Sequence, residues 1–259
     1  MHTQLSTSAG AVTAVVTGAG GGAGASTLLA GLGTRAAAAG HRVVAVDLDP
    51  GGGGLDVTFG LEAEAGLRWQ DLMGADGELD GASLVDELPA RDGLAVLSHD
   101  RSLHEPTPDL VRRCLRALRP CADLVLLDLA AGGAPPVFDG PVLLVTRGTV
   151  RGVAAAGAAA RRLTGEGAQV QLVLRDAPPR TAAEIVEALG VPLAADLRSD
   201  RSLGTDTERG LAPGRRGRTH LARACDRLLE DLLVPVPPDV ADEPGLGAAW
   251  ASAELGATA

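Results

Sequence analysis

The sequence predicts an α/β fold, a doubly wound, mostly parallel sheet with helices on both faces. Three observations lead to it. Short runs rich in Val and Leu alternate with segments of helical length, the arrangement of buried parallel strands and the helices that cover them. The first of these strands runs directly into a glycine-rich loop, Gly18 to Gly24, and that loop opens a helix with the hydroxyl residues Ser26 and Thr27. The second and fourth strands end in acids, Asp47 with Asp49 and then Asp128. Such sheets hold their ligands at the carboxyl ends of the strands, where these residues fall.

Residues 11–17 read as the first buried strand. After the glycine loop comes a helix from Ser26 to Ala39, with Leu28, Leu29 and Leu32 toward the sheet and Gly40 as its stop. Arg42–Asp47 is the second strand. The glycines 51–54 and the stretch Leu55–Gly60 read as one shaped loop. Leu67–Met73 is a short helix carrying Trp69, and Ala82–Leu88 is another within the acidic, turn-rich stretch 74–92. Gly93–Ser98 is the third strand. Thr107–Arg119 is an amphipathic helix, with Leu110, Val111, Cys114, Leu115 and Leu118 on one face and four arginines on the other. Asp123–Asp128 and Pro141–Thr146 are the next strands, and an Ala-rich helix, Val150–Leu163, follows. A strand Ala168–Leu174, a helix Thr181–Leu189 and a strand Pro192–Asp196 continue the alternation, which the helix His220–Leu233 closes. The folded domain thus spans 11–234. The polar leader 1–10 and the acidic Pro/Gly/Ala tail 235–259 are expected to be disordered.

Composition narrows the function. The net charge of −10 argues against a general affinity for nucleic acid or anionic lipid. All 23 cationic side chains are Arg, so chemistry that needs a lysine or a tyrosine is excluded. The three cysteines form no C-x-x-C pair, which fits small buried thiols in a reducing cytosol. No apolar run approaches the ~20 residues that span a bilayer. The expected setting is the cytoplasm.

The glycine loop supports two readings. As a T-G-x-x-x-G-x-G string followed by an acid at the end of the second strand, Thr17–Gly24 with Asp47 resembles the cofactor end of short-chain dehydrogenases, Asp47 accepting from a ribose hydroxyl. That chemistry requires a tyrosine and a lysine, so only a dinucleotide-binding module survives from this reading. In the other reading, Gly20-Gly21-Gly22-Ala23-Gly24-Ala25-Ser26-Thr27 lies over the deviant Walker A string K-G-G-x-G-K-[ST]-T. It matches at Gly21, Gly22, Gly24, Ser26 and Thr27 and lacks both lysines, at Gly20 and Ala25.

With the pair Asp47-x-Asp49 and the Walker B-like strand Asp123-Leu-Val-Leu-Leu-Asp128, the chain resembles the MinD/ParA superfamily of P-loop ATPases. The loop, the stretch Asp47-Leu-Asp-Pro-Gly-Gly-Gly-Gly-Leu-Asp56, Gly66–Leu72, Asp92–Ser98 and Val150–Ala156 resemble its CpaE-like, septum-site-determining actinobacterial subgroup. The likeness runs over about residues 12–233. It departs at Asp128-Leu-Ala-Ala-Gly132, where the group has a proline, and at Leu174-Arg175-Asp176, where the group often has an asparagine near the adenine. The resemblance implies that residues 20–27 bind a nucleotide, Ala23 and Ala25 included. It implies that Ser26, Asp49 and Asp128 hold Mg²⁺ and that Asp49 lies near the attacking water. Implied too are ATP with Mg²⁺ as cofactors, a homodimer, and recruitment to the septum or a pole by protein partners of septum or pilus/secretion machinery. Direct membrane attachment is not implied, because the chain end is acidic.

The absent lysines temper the chemistry. Backbone N–H groups and the helix dipole still attract an anion. Losing two charge-assisted hydrogen bonds weakens triphosphate binding by roughly two to four powers of ten, and catalysis suffers more than binding. Arg147 or Arg151, after the fifth strand, are the candidate replacement cations. The expectation is a positional regulator with weak or lost ATP hydrolysis, set against an active ATPase cycling between monomer and dimer and against the dinucleotide module.

Overall fold

The computed structural model describes residues 11–101, 104–136 and 140–233. The proposed leader and tail lie outside these residues. Among the described residues the strands are β1 (Val12–Gly18), β2 (Val43–Leu48), β3 (Ala90–Arg91), β4 (Leu94–Leu97), β5 (Leu124–Leu129), β6 (Pro141–Arg147), β7 (Gln169–Arg175) and β8 (Leu193–Leu197). They form one sheet in the order β3-β4-β2-β5-β1-β6-β7-β8. Every pairing is parallel except the short β3–β4 edge.

The helices are α1 (Ala25–Ala38), α2 (Leu55–Phe59), α3 (Trp69–Leu72), α4 (Gly81–Glu87), α5 (Pro108–Leu118), α6 (Val150–Gly165), α7 (Pro179–Leu189), α8 (Leu203–Thr207) and α9 (His220–Leu232). Alternate residues of each strand serve opposite layers. Ala14, Val16, Ala45, Leu124 and Leu126 pack with α1, α2 and α9. Val15, Val44, Val46, Val125 and Leu127 pack with α3, α4, α5 and α6. A doubly wound sheet results, built almost wholly from aliphatic side chains, with Trp69 and Phe59 as its large buried aromatics.

Local chemistry explains the element ends. Thr107 caps α5 by accepting from Leu110 N–H at 3.2 Å, and Pro108 stands at the first helical position, where a missing N–H costs nothing. The thiols divide: Cys114 and Cys225 are buried as expected, whereas Cys121 is half-buried. Burial pushes the Cys114 thiol up to about 11.

Three segments differ from the sequence reading. Leu55–Phe59, expected as loop, is the short helix α2, because Leu55 and Phe59 bury a full turn against α1 and β4. β3 is two residues of antiparallel edge inside a turn-rich stretch, too short to leave a periodic signal. α8 is a single turn with only Asp206 buried, so no hydrophobic stripe marks it.

Candidate functional site

The strand order places β1 between β5 and β6, with β2 beyond β5, so three strand ends open onto one cleft. Its volume is about 230 Å³, and its lining is Gly18, residues 20–27, Asp49, Asp128, Leu129 and Ala131. Every residue expected to bind nucleotide or metal is therefore brought together there.

The loop's shape depends on two glycines in the left-handed region, Gly22 at φ 71° and Gly24 at φ 100°. Ala23 N–H bonds back to Gly20 O at 3.3 Å and closes the turn. The first full helical bond runs from Leu28 N–H to Gly24 O, 2.9 Å, so the N–H groups of Ala25, Ser26 and Thr27 precede the helical ladder at the positive end of α1. That is an anion cradle made of backbone.

Across from it stand two carboxylates. Asp128 is 4% exposed and lines the cleft with Ser26. Burial pushes its carboxyl up to about 7, the Ser26 hydroxyl opposes that rise, and the nearby Asp47 and Asp49 add to it. Asp49 is half-buried and is held by its own loop, accepting Gly51 N–H at 3.2 Å.

Asp47 does something else. It is Asp128's register partner on β2 and is 2% exposed. Its oxygens accept from Asp49 N–H (3.0 Å), from Leu55 N–H (2.9 Å) and from the Ser98 hydroxyl (2.8 Å). Trp69 Nε1 donates to its carbonyl at 2.7 Å. These bonds shape the 47–55 loop, and Asp47 is not among the residues that line the cleft.

Ser26, Asp49 and Asp128 together offer a hydroxyl and two carboxylates, a hard oxygen set of the kind that suits Mg²⁺. The carboxyl of Asp128, raised by burial and further by its acidic neighbours, fits a cation at that point. Among the described residues no cluster of three or more His, Cys, Asp or Glu side chains could hold a metal alone. Phosphate oxygens and water would have to complete the shell.

The lining contains no cation. Arg147 and Arg151 are exposed and do not line the cleft. The arginine that touches the loop is Arg175, at the end of β7. Its Nη1 donates to Ala23 O at 3.2 Å. Sequence reasoning noted Arg175 only as a departure from an asparagine, and nothing local signals a contact 152 residues away.

A second buried cluster also went unread. Asp56, with no exposed surface, pairs with Arg68 Nε at 3.2 Å and with Arg101 Nη2 at 3.0 Å. It accepts nothing from the cleft and ties the α2 and α3 region to the segment after β4.

No protein-family model matches the chain. An uncharacterized protein of Mycobacterium tuberculosis is 38% identical over 228 residues, 85% of this chain and 63% of that protein, in each of two strains. The chain thus spans less than two thirds of these relatives. The septum site-determining protein MinD of Helicobacter pylori is 31% identical over 122 residues, 47% of this chain and 46% of that protein.

Among solved structures, the MinC:MinD cell division complex of Aquifex aeolicus superposes with TM-score 0.70 at 18% identity, covering 88% of this chain and 99% of that one. A ParA family ATPase from Chlorobium tepidum gives TM-score 0.71 at 18% identity, over 84% and 98%. The fold is that of the MinD/ParA P-loop ATPases. MinD of Pyrococcus horikoshii, a complex with Mg-ADP, has the same fold, with TM-score 0.67 at 18% identity over 86% and 95%. Within the MinD/ParA fold, the cleft here is the one at the glycine loop, between Asp49 and Asp128.

Proposed function

We propose that this chain is a positional regulator of the MinD/ParA type that binds ATP with Mg²⁺ weakly and hydrolyses it slowly or not at all. It acts through protein partners of septum or pilus/secretion machinery, as the CpaE-like resemblance implies. The observation that carries this reading is the composition of the cleft: an intact backbone cradle faces two carboxylates, and no cation lines the space between them.

The cradle supports binding. The carboxylates support a metal-bridged polyphosphate. The missing lysine removes the charge that would stabilise a transferring phosphoryl group, so rate suffers more than affinity. MinD in the Aquifex aeolicus structure is partnered by MinC. For this chain that neighbour suggests a protein partner, and the MinD/ParA resemblance a homodimer, rather than nucleic acid or lipid as the primary contact. Asp49, Gly20–Thr27 and Asp128 are the residues assigned to the nucleotide and its metal.

The test titrates the purified full chain with a fluorescent ATP analogue, with and without Mg²⁺, and follows phosphate release. Weak, Mg²⁺-dependent binding with negligible release is the expected result. Rapid release that disappears in Asp49→Ala would replace this reading with a cycling ATPase, and binding of NADPH in preference to ATP would overturn it.

A further inference from the structure

Both lysines are missing from the loop, yet the loop is not without a positive charge. Arg175 lies against its outer side. Nη1 donates to Ala23 O at 3.2 Å, and a Cβ on Gly24 would fall 2.8 Å from the same nitrogen. The guanidinium therefore occupies the space that a side chain at residue 24 would need, in a backbone conformation at φ 100° that already favours glycine.

The rest of the guanidinium is gripped from behind. Nε and Nη2 donate to Ser199 Oγ at 3.4 and 3.2 Å. Asp176 is the neighbouring counter-charge, shared between Arg175 and Ser199. Its Oδ1 accepts Ser199 N–H at 2.8 Å and its Oδ2 accepts the Ser199 hydroxyl at 2.6 Å, while Oδ2 stands 3.4 Å from Arg175 Nε. Two of the three donor nitrogens of the fork are held by one hydroxyl, and the third is aimed at the loop. The side chain is 26% exposed, so its field is only partly screened.

We propose that Arg175 is the positioning cation of the loop, in place of the absent lysines. By drawing the Ala23 carbonyl outward it fixes the peptides on either side with their N–H groups toward the cleft. It also sets a guanidinium charge, partly offset by Asp176, one peptide layer behind the bound anion. It does not touch the transferring phosphate, which separates its role from that of a catalytic lysine: it favours binding and leaves turnover low. This inference rests on the nucleotide reading above.

The experiment measures MgATP affinity of the full chain by fluorescence titration for the native protein, Arg175→Gln, Arg175→Lys, and Arg175→Gln combined with Ala25→Lys, with thermal melting as a check on folding. Gln keeps a neutral donor for Ala23 O, whereas Lys keeps the charge and loses the fork. Arg175→Gln is expected to bind about tenfold more weakly, and Arg175→Lys to stay within about a factor of three of the native protein. Adding Ala25→Lys to Arg175→Gln is expected to restore the affinity, since a charge on the other side of the same loop can replace this one. Because that lysine also tightens the native chain, the charge role is read from Arg175→Lys, which a purely structural role would weaken as much as Arg175→Gln.

If native protein and Arg175→Gln bind equally, the inference fails and the nucleotide reading stands. Equal weakening of the Gln and Lys variants reduces Arg175 to packing and overturns the charge role. No MgATP binding by the native protein at millimolar concentration overturns both. Should Arg175→Gln lose its melting transition, a folded Arg175→Lys that binds tenfold or more weakly also overturns the inference.

Discussion

Asp128 holds its carboxyl near 7 because it is buried beside two other acids. A carboxyl raised in the folded state binds its proton there at pH values where the unfolded chain has already released it. Between about pH 4 and 7 the folded form therefore carries more protons, and stability falls as pH rises through that window. Asp128→Asn removes this penalty. At pH 8 it should melt higher than the native chain by the equivalent of a few kcal/mol, on the order of the linkage between those two values, and at pH 4 the two should nearly coincide. Calorimetric melts at the two pH values check this. The same variant should lose the stabilisation that Mg²⁺ with ATP confers.

At the loop, Ala25→Lys alone should tighten MgATP by about tenfold or more if the cradle keeps the geometry described, measured by the same titration. These residues were legible in the sequence because a Walker-like loop and strand-end acids are local patterns. Asp47 was not. Its place in the pattern pointed to a ligand, and only the Ser98 and Leu55 contacts, 51 and 8 residues away, reveal a structural tie.

Among the elements, the strands and long helices were readable because their burial is periodic. α5 shows it in full: its apolar stripe, Thr cap and N1 proline agree with one another. Thr107→Ala should cost about 1 kcal/mol in urea denaturation without changing nucleotide affinity, since the cap lies outside the cleft lining. α2 escaped because four glycines precede it and its single turn is stabilised by tertiary burial rather than by propensity. The tie that holds its start is Ser98, fully buried, which accepts Leu55 N–H at 3.0 Å while donating to Asp47. Ser98→Ala leaves Asp47 short of a partner and should destabilise the chain by about 1–3 kcal/mol. Amide exchange at residues 49–56 should speed up in that variant ahead of the rest of the sheet.

On the scale of the molecule, two ion-pair sites should behave differently. Asp56 sits with no exposed surface between Arg68 and Arg101, so Asp56→Ala strands the 7%-exposed Arg68 and should cost about 3–5 kcal/mol. Arg35 and Asp226 join α1 to α9 at 2.7 Å but are 25% and 40% exposed, so Asp226→Ala should cost no more than about 1 kcal/mol. Denaturant midpoints of the two variants decide between these expectations. α1 begins at the phosphate cradle and runs 14 residues, about 21 Å, before it ends. Along that length Gly31 lies so close to α9 that a Cβ there would meet Cys225 Sγ at 2.8 Å. α1 therefore joins two places in the molecule: its first turn lines the cradle, and farther along Gly31 and the Arg35–Asp226 clasp seat it directly on the helix at the flank of the sheet.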